Sequence, residues 1–390
     1  MDNQKHPEQL TLDGFTVDSG RETDANPPRP GENATTLDSP ETDDSAVEPG
    51  AKYIAPTTEQ WAALYKIAME IRQLEPWYDL WSSELIMIEL PEHEEPFFCC
   101  TMGANADCYA VAVYPGYQGL KSYERLQSGE DDVALLSVGC EQICMICYFG
   151  DREEVTPVDR EIYNSLGIKF RGRNEWIYFR SQEPGFYPWY LNTEEADILI
   201  RVLKHYTRAF SYMVKNKLEV DFDEGEILAR YYSPEDKIWL NEAVLYPDDY
   251  LYKHKSLLIS DDLFIRRLLR QKRNNQSLEF DMSFLAVPFR DKKGERPHLS
   301  RLIAFADRKS GMPFGIEIVR DGEETVEKII DMFVSYIEQF GRPTRIYIRN
   351  DIARYYVGDL CEKLEIKLIE GEGIPALDEF YLELDERFSY

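Results

Sequence analysis

The stretch DGEETVEKIIDMFVSYIEQFGRPTRIYI, residues 321–348, decides how the C-terminal part is built. Val326, Ile329, Ile330, Phe333, Val334 and Ile337 recur at the spacing of one helix face. Gly341-Arg342-Pro343 stops that helix, because proline cannot continue it and biases the residue before it towards extended backbone. Arg345 to Ile348 then reads as a strand. Upstream, Ser283 to Phe289, Leu299 to Ala306 and Phe314 to Val319 are three strand-like runs joined by turns. Downstream, Ile352 to Leu364 is a helix and Ile366 to Ile369 a strand. The order β-β-β-α-β-α-β predicts an α+β unit. It is also the order of ribonuclease H-like folds.

The part before it has the same mixed character. A helix is expected from Thr57 or Thr58, which can cap it, through Trp61, Leu64, Tyr65, Ala68 and Ile71 to Pro76. Strand-like runs follow at Leu85 to Leu90, Phe97 to Met102, Tyr109 to Tyr114, Val133 to Phe149 and Trp176 to Arg180. Short helices are expected at 119–126 and 158–166. A long helix opens at Asn192-Thr193-Glu194-Glu195, with Thr193 as its expected cap. Ile227 to Tyr232 and Ile238 to Val244 flank Ser233-Pro234-Glu235-Asp236, a hairpin signal. A helix from Asp261 to Gln271 leads into the C-terminal part. The expected organisation is therefore a tail over 1–52, an N-terminal α+β domain over 53–254 with its hairpin near 225–245, a connecting helix and linker over 255–281, and a C-terminal α+β domain over 282–390.

Composition narrows the setting. The 390 residues carry a formal charge of −28, and 43% are hydrophobic, enough to bury a core in each part. Residues 1–50 hold 12 Asp or Glu against 3 Lys or Arg, a balance of −9, so residues 51–390 carry −19. A tail rich in Asp, Glu, Pro, Ser and Thr cannot offset its ordering entropy by burial and is expected to be disordered. Its one island, Gln9-Leu10-Thr11-Leu12-Asp13-Gly14-Phe15, looks somewhat like peptides that dock on the bacterial replication sliding clamp, with the aromatic displaced by two residues. The acidity disfavours nucleic acid as a general partner. No run approaches the roughly 20 apolar residues of a membrane span, and the first residues show no secretory signal. The cytoplasm is the expected compartment, its seven cysteines reduced.

Both parts resemble an uncharacterised bacterial family of two-part proteins known only as domains of unknown function. In the first part the resemblance rests on Leu74-Glu75-Pro76-Trp77, Met102-Gly103, Ala112-Val113-Tyr114 with Gly119-Leu120, the run Lys169 to Asn174, and Tyr187-Pro188-Trp189-Tyr190-Leu191. In the second it rests on Asp307-Arg308-Lys309-Ser310-Gly311 and the run Gly341 to Asp351. The resemblance implies no activity.

The motifs that carry chemistry are few. Cys140-x3-Cys144-x2-Cys147 has the spacing that holds a four-iron cluster in radical S-adenosylmethionine enzymes. No chain of βα units follows it, however, and Ile143, Met145, Cys147 and Phe149 alternate with Cys144, Ile146 and Tyr148 as in a doubly buried strand. His6, His93, His205, His254 and His298 lack zinc-site spacing. Phosphate-loop, dinucleotide and serine-nucleophile signatures are absent. No cofactor is expected. Ribonuclease H-like enzymes need carboxylates converging on divalent metals, one within the first strand and one just after the fourth. The strand read as Phe284 to Phe289 has none, which leaves Asp307, Asp351 and Glu317 as candidate ligands. Asp351 is alternatively the N-cap of the helix that follows.

Arg171, Arg173 and Arg180 lie among Trp176, Tyr187 and Trp189. Such a stretch either packs the core and pairs its arginines with carboxylates, or forms a surface for a protein or small-molecule partner. Arg266, Arg267 and Arg270 radiate from one helix and either bridge acidic surfaces or contact phosphate. The expectation is a non-catalytic binding protein. The alternative is a ribonuclease H-like metal-dependent hydrolase or a degenerate relative of one.

Overall fold

A computed structural model of the chain describes residues 53–106, 108–128, 139–247, 257–290, 295–320 and 323–388. The acidic tail over 1–52, with its Gln9–Phe15 island, lies outside these residues. The fold is mixed α+β, with two sheets.

The first sheet has seven strands: β1 (Ile86–Ile88), β2 (Phe97–Met102), β3 (Ala110–Pro115), β4 (Cys144–Gly150), β5 (Trp176–Gln182), β6 (Glu226–Ser233) and β7 (Ile238–Leu245), in the order β5-β4-β3-β2-β1-β6-β7. Every pairing is antiparallel except the parallel β1–β6. Helices α1 (Thr58–Leu74) and α4 (Thr193–Asn216) share one core with this sheet, while α2 (Gly116–Ser128) packs on the other side and α3 (Pro157–Ser165) adds Tyr163 to the first core. Helix α1 starts where Thr57 and Gln60 form a capping box, buries Trp61, Leu64, Tyr65, Ala68 and Ile71, and ends at Glu75 in left-handed backbone before Pro76. The cap of α4 is Asn192 rather than Thr193. Its side chain accepts from Glu195 N at 2.9 Å, and extended backbone at Asn192 leaves Thr193 as the first helical residue.

Strand β4 is buried on both faces. Met145, Cys147 and Phe149 join the core shared with α1 and α4, whereas Cys144, Ile146 and Tyr148 join the opposite one. Cys144 and Cys147 therefore point away from each other. Burial pushes the thiol pKa of both well up, the protonated state expected of core cysteines. Of the strand expected over 133–149, residues 133–138 lie outside the described residues; 139–140 are helical, and the strand itself, β4, spans Cys144–Gly150.

The second sheet comprises β8 (Ser277–Phe289), β9 (His298–Asp307), β10 (Pro313–Arg320), β11 (Arg345–Ile348) and β12 (Lys367–Glu370), in the order β10-β9-β8-β11-β12. β8, β9 and β10 form an antiparallel meander, and β11 and β12 run parallel to β8. Along the chain, from β8 to β12, strands and helices follow the β-β-β-α-β-α-β succession expected from the sequence. Helices α5 (Asp262–Leu269), α6 (Glu323–Phe340) and α7 (Asp351–Lys363) cover one face, where Ile265 and Leu268 join Phe280, Phe305, Phe333 and Val357. Two features differ from the expectation. β8 begins at Ser277, six residues before Ser283, and a helix absent from the sequence reading, α8 (Pro375–Phe388), covers the opposite face through Leu377, Phe380 and Tyr381.

Candidate functional site

The longer β8 changes which carboxylates matter. Leu278, Phe280 and Met282 face the core under α5, α6 and α7, so by strand alternation Glu279 and Asp281 face α8. Both are buried, at 0% and 2% exposure. Glu279 is held by Arg308 Nη1 at 2.9 Å and by the backbone amides of Ala376 and Leu377 at 2.8 and 3.0 Å. Those amides belong to the first turn of α8, where unpaired N–H groups favour an anion. Arg308 in turn lies 3.8 Å over the Tyr347 ring.

Asp281 is held by Arg349, the residue that follows β11. Arg349 Nε donates to Asp281 Oδ2 at 3.1 Å, and Arg349 Nη2 donates to Asp378 of α8 at 2.5 Å. Asp281 Oδ1 and the Tyr381 hydroxyl are buried and, among the described residues, have no hydrogen-bond partner at ordinary distance. Burial raises the pKa of both carboxyls; the Leu377 amide and then Arg308 pull Glu279 back in part, and Arg349 does the same for Asp281. The Tyr381 phenol is pushed well above its ordinary range, chiefly by burial and then by the Asp281 charge.

A divalent cation does not fit this arrangement. Magnesium or manganese would need several oxygens converging on one point with free lone pairs. Here guanidinium groups approach the carboxylates and supply the compensating positive charge. Among the described residues no group of three or more His, Cys, Asp or Glu side chains is arranged to hold a metal ion.

The three carboxylates proposed from the sequence lie in separate surroundings. Asp307 closes the turn after β9, accepting from Ser310 N and Ser310 Oγ, both at 2.8 Å. Asp307 lies level with Leu278, whereas Glu317 pairs with Ile303, which lies level with Met282. Four residues of strand separate those levels by roughly 13 Å. Asp351 opens α7 and pairs with Lys121 Nζ at 2.9 Å and Arg125 Nη1 at 3.3 Å, both on α2 of the first part. It is not the cap of α7. Asn350 takes that place, its Oδ1 accepting from Ile352 N and Ala353 N at 3.1 and 3.2 Å.

The arginine-aromatic stretch divides into internal and open members. Arg180 forms a bidentate pair with buried Asp159 at 2.9 and 2.8 Å, and lies against the Tyr178 and Tyr190 rings. Trp176 packs on Tyr163 and Phe170 and donates Nε1 to Gly172 O at 3.1 Å. Tyr187 and Trp189 sit where the two parts meet. Tyr187 N donates to Pro297 O, Leu299 N donates to Gly185 O, and Arg290 lies over the Trp189 ring. Arg296 lies over Phe186 and pairs with Glu183 at 2.7 Å. Arg171 and Arg173 are exposed, Arg173 only 3.7 Å from Asp151 at its nearest. Arg266 and Arg267 on α5 and Arg270, which caps its C-terminal end, are exposed, with Arg267 3.5 Å from Glu338.

A buried ion pair also spans the two parts. Arg301 of β9 meets Glu141 at 2.9 Å and lies 3.8 Å over the Phe284 ring. The sequence reading missed Glu279, Asp281, Arg349, Glu141 and Arg301. Only the alternation in Leu278-Glu279-Phe280-Asp281-Met282 signals the first two.

No curated protein matches the chain. Among solved structures, the catalytic core domain of HTLV-2 integrase in complex with magnesium is 18% identical, over 28% of this chain and 68% of its own length, at a TM-score of 0.20. A cryo-EM structure of a simian T-cell lymphotropic virus intasome is 21% identical, over 32% of this chain and 45% of its own, at a TM-score of 0.21. At such scores neither likeness bears on how this chain acts. Residues 61–230 match the family model "Domain of unknown function (DUF7309)", and residues 264–385 match "Domain of unknown function (DUF6930)". The chain is a two-part protein, each part of which matches a domain of unknown function.

Proposed function

We propose that the chain is a non-catalytic binding or interaction protein of the bacterial cytoplasm, and that its second part is a degenerate relative of ribonuclease H-like hydrolases. One observation carries this reading: Arg349 sits against Asp281, the carboxylate in the middle of the first strand. In the metal-dependent enzymes a carboxylate there holds a divalent ion. Here a fixed guanidinium compensates the charge, and α8 lies over it. Of the surface candidates read from the sequence, Arg171, Arg173, Tyr187, Arg266, Arg267 and Arg270 are exposed and could meet a partner. No helix among the described residues is long and apolar enough to cross a membrane.

The test is an incubation of the full chain with single- and double-stranded DNA, RNA and RNA–DNA hybrid, in Mg²⁺ or Mn²⁺. The expected result is no cleavage of any of them. Cleavage that Asp281→Asn abolishes would overturn the reading.

A further inference from the structure

Two arginines are buried among the described residues, Arg301 and Arg230. Arg301 has Glu141. Arg230, at 7% exposure on β6, has no carboxylate within pairing distance among the described residues. Its two hydrogen bonds go to neutral acceptors: Nε donates to His205 Nδ1 at 3.1 Å and Nη1 to Asn241 Oδ1 at 2.7 Å. The Trp239 ring lies 3.9 Å from the His205 ring and 5.2 Å from the Arg230 guanidinium. A buried guanidinium without an anion is costly, because desolvation is not repaid by an opposite charge.

The surroundings add positive charge. Lys204, His205 and Arg208 occupy one stripe of α4, at the three- and four-residue spacing that puts side chains on one face. Lys204 and Arg208 are exposed. Burial, then Arg230, Arg208 and Lys204, push the His205 pKa down to about 4, with Glu92 opposing. Glu92 is engaged by Arg201. Burial and Arg208 likewise bring Arg230 down to about 10. In a chain of net charge −28, three cations gathered without a paired acid stand out.

We propose that the place where α4 crosses β6 and β7 binds the phosphate group of a small ligand, with Arg230 as its buried anchor and Arg208 and Lys204 closing over it from the helix. Phosphate suits the set better than a carboxylate, since a dianion answers several cations at once and an arginine fork can meet two of its oxygens. A small ligand suits it better than a nucleic acid, since the acidic remainder of the chain repels a long polyanion. This proposal is independent of the charge arrangement on β8.

The experiment is a calorimetric titration of inorganic phosphate into the full chain, against sodium chloride at matched ionic strength, with sodium acetate and a single-stranded DNA 12-mer as further arms. Saturable phosphate binding is expected at about 1 mM, weakened at least tenfold in Arg208→Ala and more in Arg230→Gln. Arg208 is exposed, so Arg208→Ala keeps the test decisive if Arg230→Gln does not fold. In the same samples the His205 imidazole pKa, followed by NMR, should rise when phosphate is bound. Phosphate heats no different from chloride, or equal in wild type and Arg208→Ala, would overturn the proposal. So would acetate binding as tightly as phosphate, or DNA binding more tightly through Arg208.

Discussion

Arg349 Nε donates to Asp281 Oδ2 at 3.1 Å, joining the end of β11 to the middle of β8 beneath α8. Removing the guanidinium alone leaves a buried carboxylate without its counter-charge. Arg349→Met should therefore cost about 3 kcal/mol. Replacing both residues by apolar ones, Arg349→Met with Asp281→Leu, should recover most of that loss, because an apolar pair needs no compensating charge. Denaturant melts of the two single variants and the double variant measure the coupling. Strictly additive losses would show that the pair is not a unit.

The start of α7 offers a second test, since its cap and its first residue have different duties. Asn350→Ala should cost about 1 kcal/mol through the lost cap. Asp351→Asn keeps the helix start but weakens the pairs with Lys121 and Arg125, and should cost about 1–2 kcal/mol. In 1 M NaCl the Asp351→Asn penalty should shrink while the Asn350→Ala penalty stays. A silent Asp351→Asn would mean that the contact with α2 contributes nothing in solution.

Stability should also depend on pH through His205. Its folded pKa, about 4, lies below the ordinary 6.5, so the folded state prefers the neutral ring. The unfolded chain binds the proton first as pH falls. The stabilisation is thus complete above about 6.5 and is lost on the way down to about 4. Because the ring is half exposed, the effect should be on the order of 1 kcal/mol after solvent screening. Comparing chemical melts at pH 7 and pH 4.5 in wild type and His205→Gln checks it. The variant should lose less stability across that interval, and an equal loss would contradict the assignment.

How far the sequence could be read is clearest at particular residues. The 3.6-residue period from Val326 to Ile337 and the stop at Gly341-Arg342-Pro343 placed α6 and β11, and with them the succession of elements along the second part. Alternation at β4 correctly placed Cys144 and Cys147 on opposite faces of a core strand. Two caps were misplaced by one residue, at Thr193 for Asn192 and Asp351 for Asn350. Each pair offers adjacent side chains able to cap, and only the extended backbone at Asn192 and Asn350 selects between them.

The larger omission was the start of β8. Glu279 and Asp281 look like surface residues until their partners are known, and those partners lie 29 residues away at Arg308 and 68 away at Arg349. The cover supplied by α8 was missed because Leu377, Phe380 and Tyr381 form a short apolar stripe in a strongly acidic segment. Arg230 was hidden for the same reason. What marks it is the absence of an acid in three dimensions, which no local pattern shows.

The central claim is that the carboxylates of β8 are compensated from within the chain and hold no catalytic metal. Isothermal titration of Mn²⁺ into the full chain tests it most directly, with wild type and Asp281→Asn compared. The account predicts no saturable heat from either protein and no shift in the melting temperature of either. A one- or two-site isotherm in wild type that disappears in Asp281→Asn would contradict it.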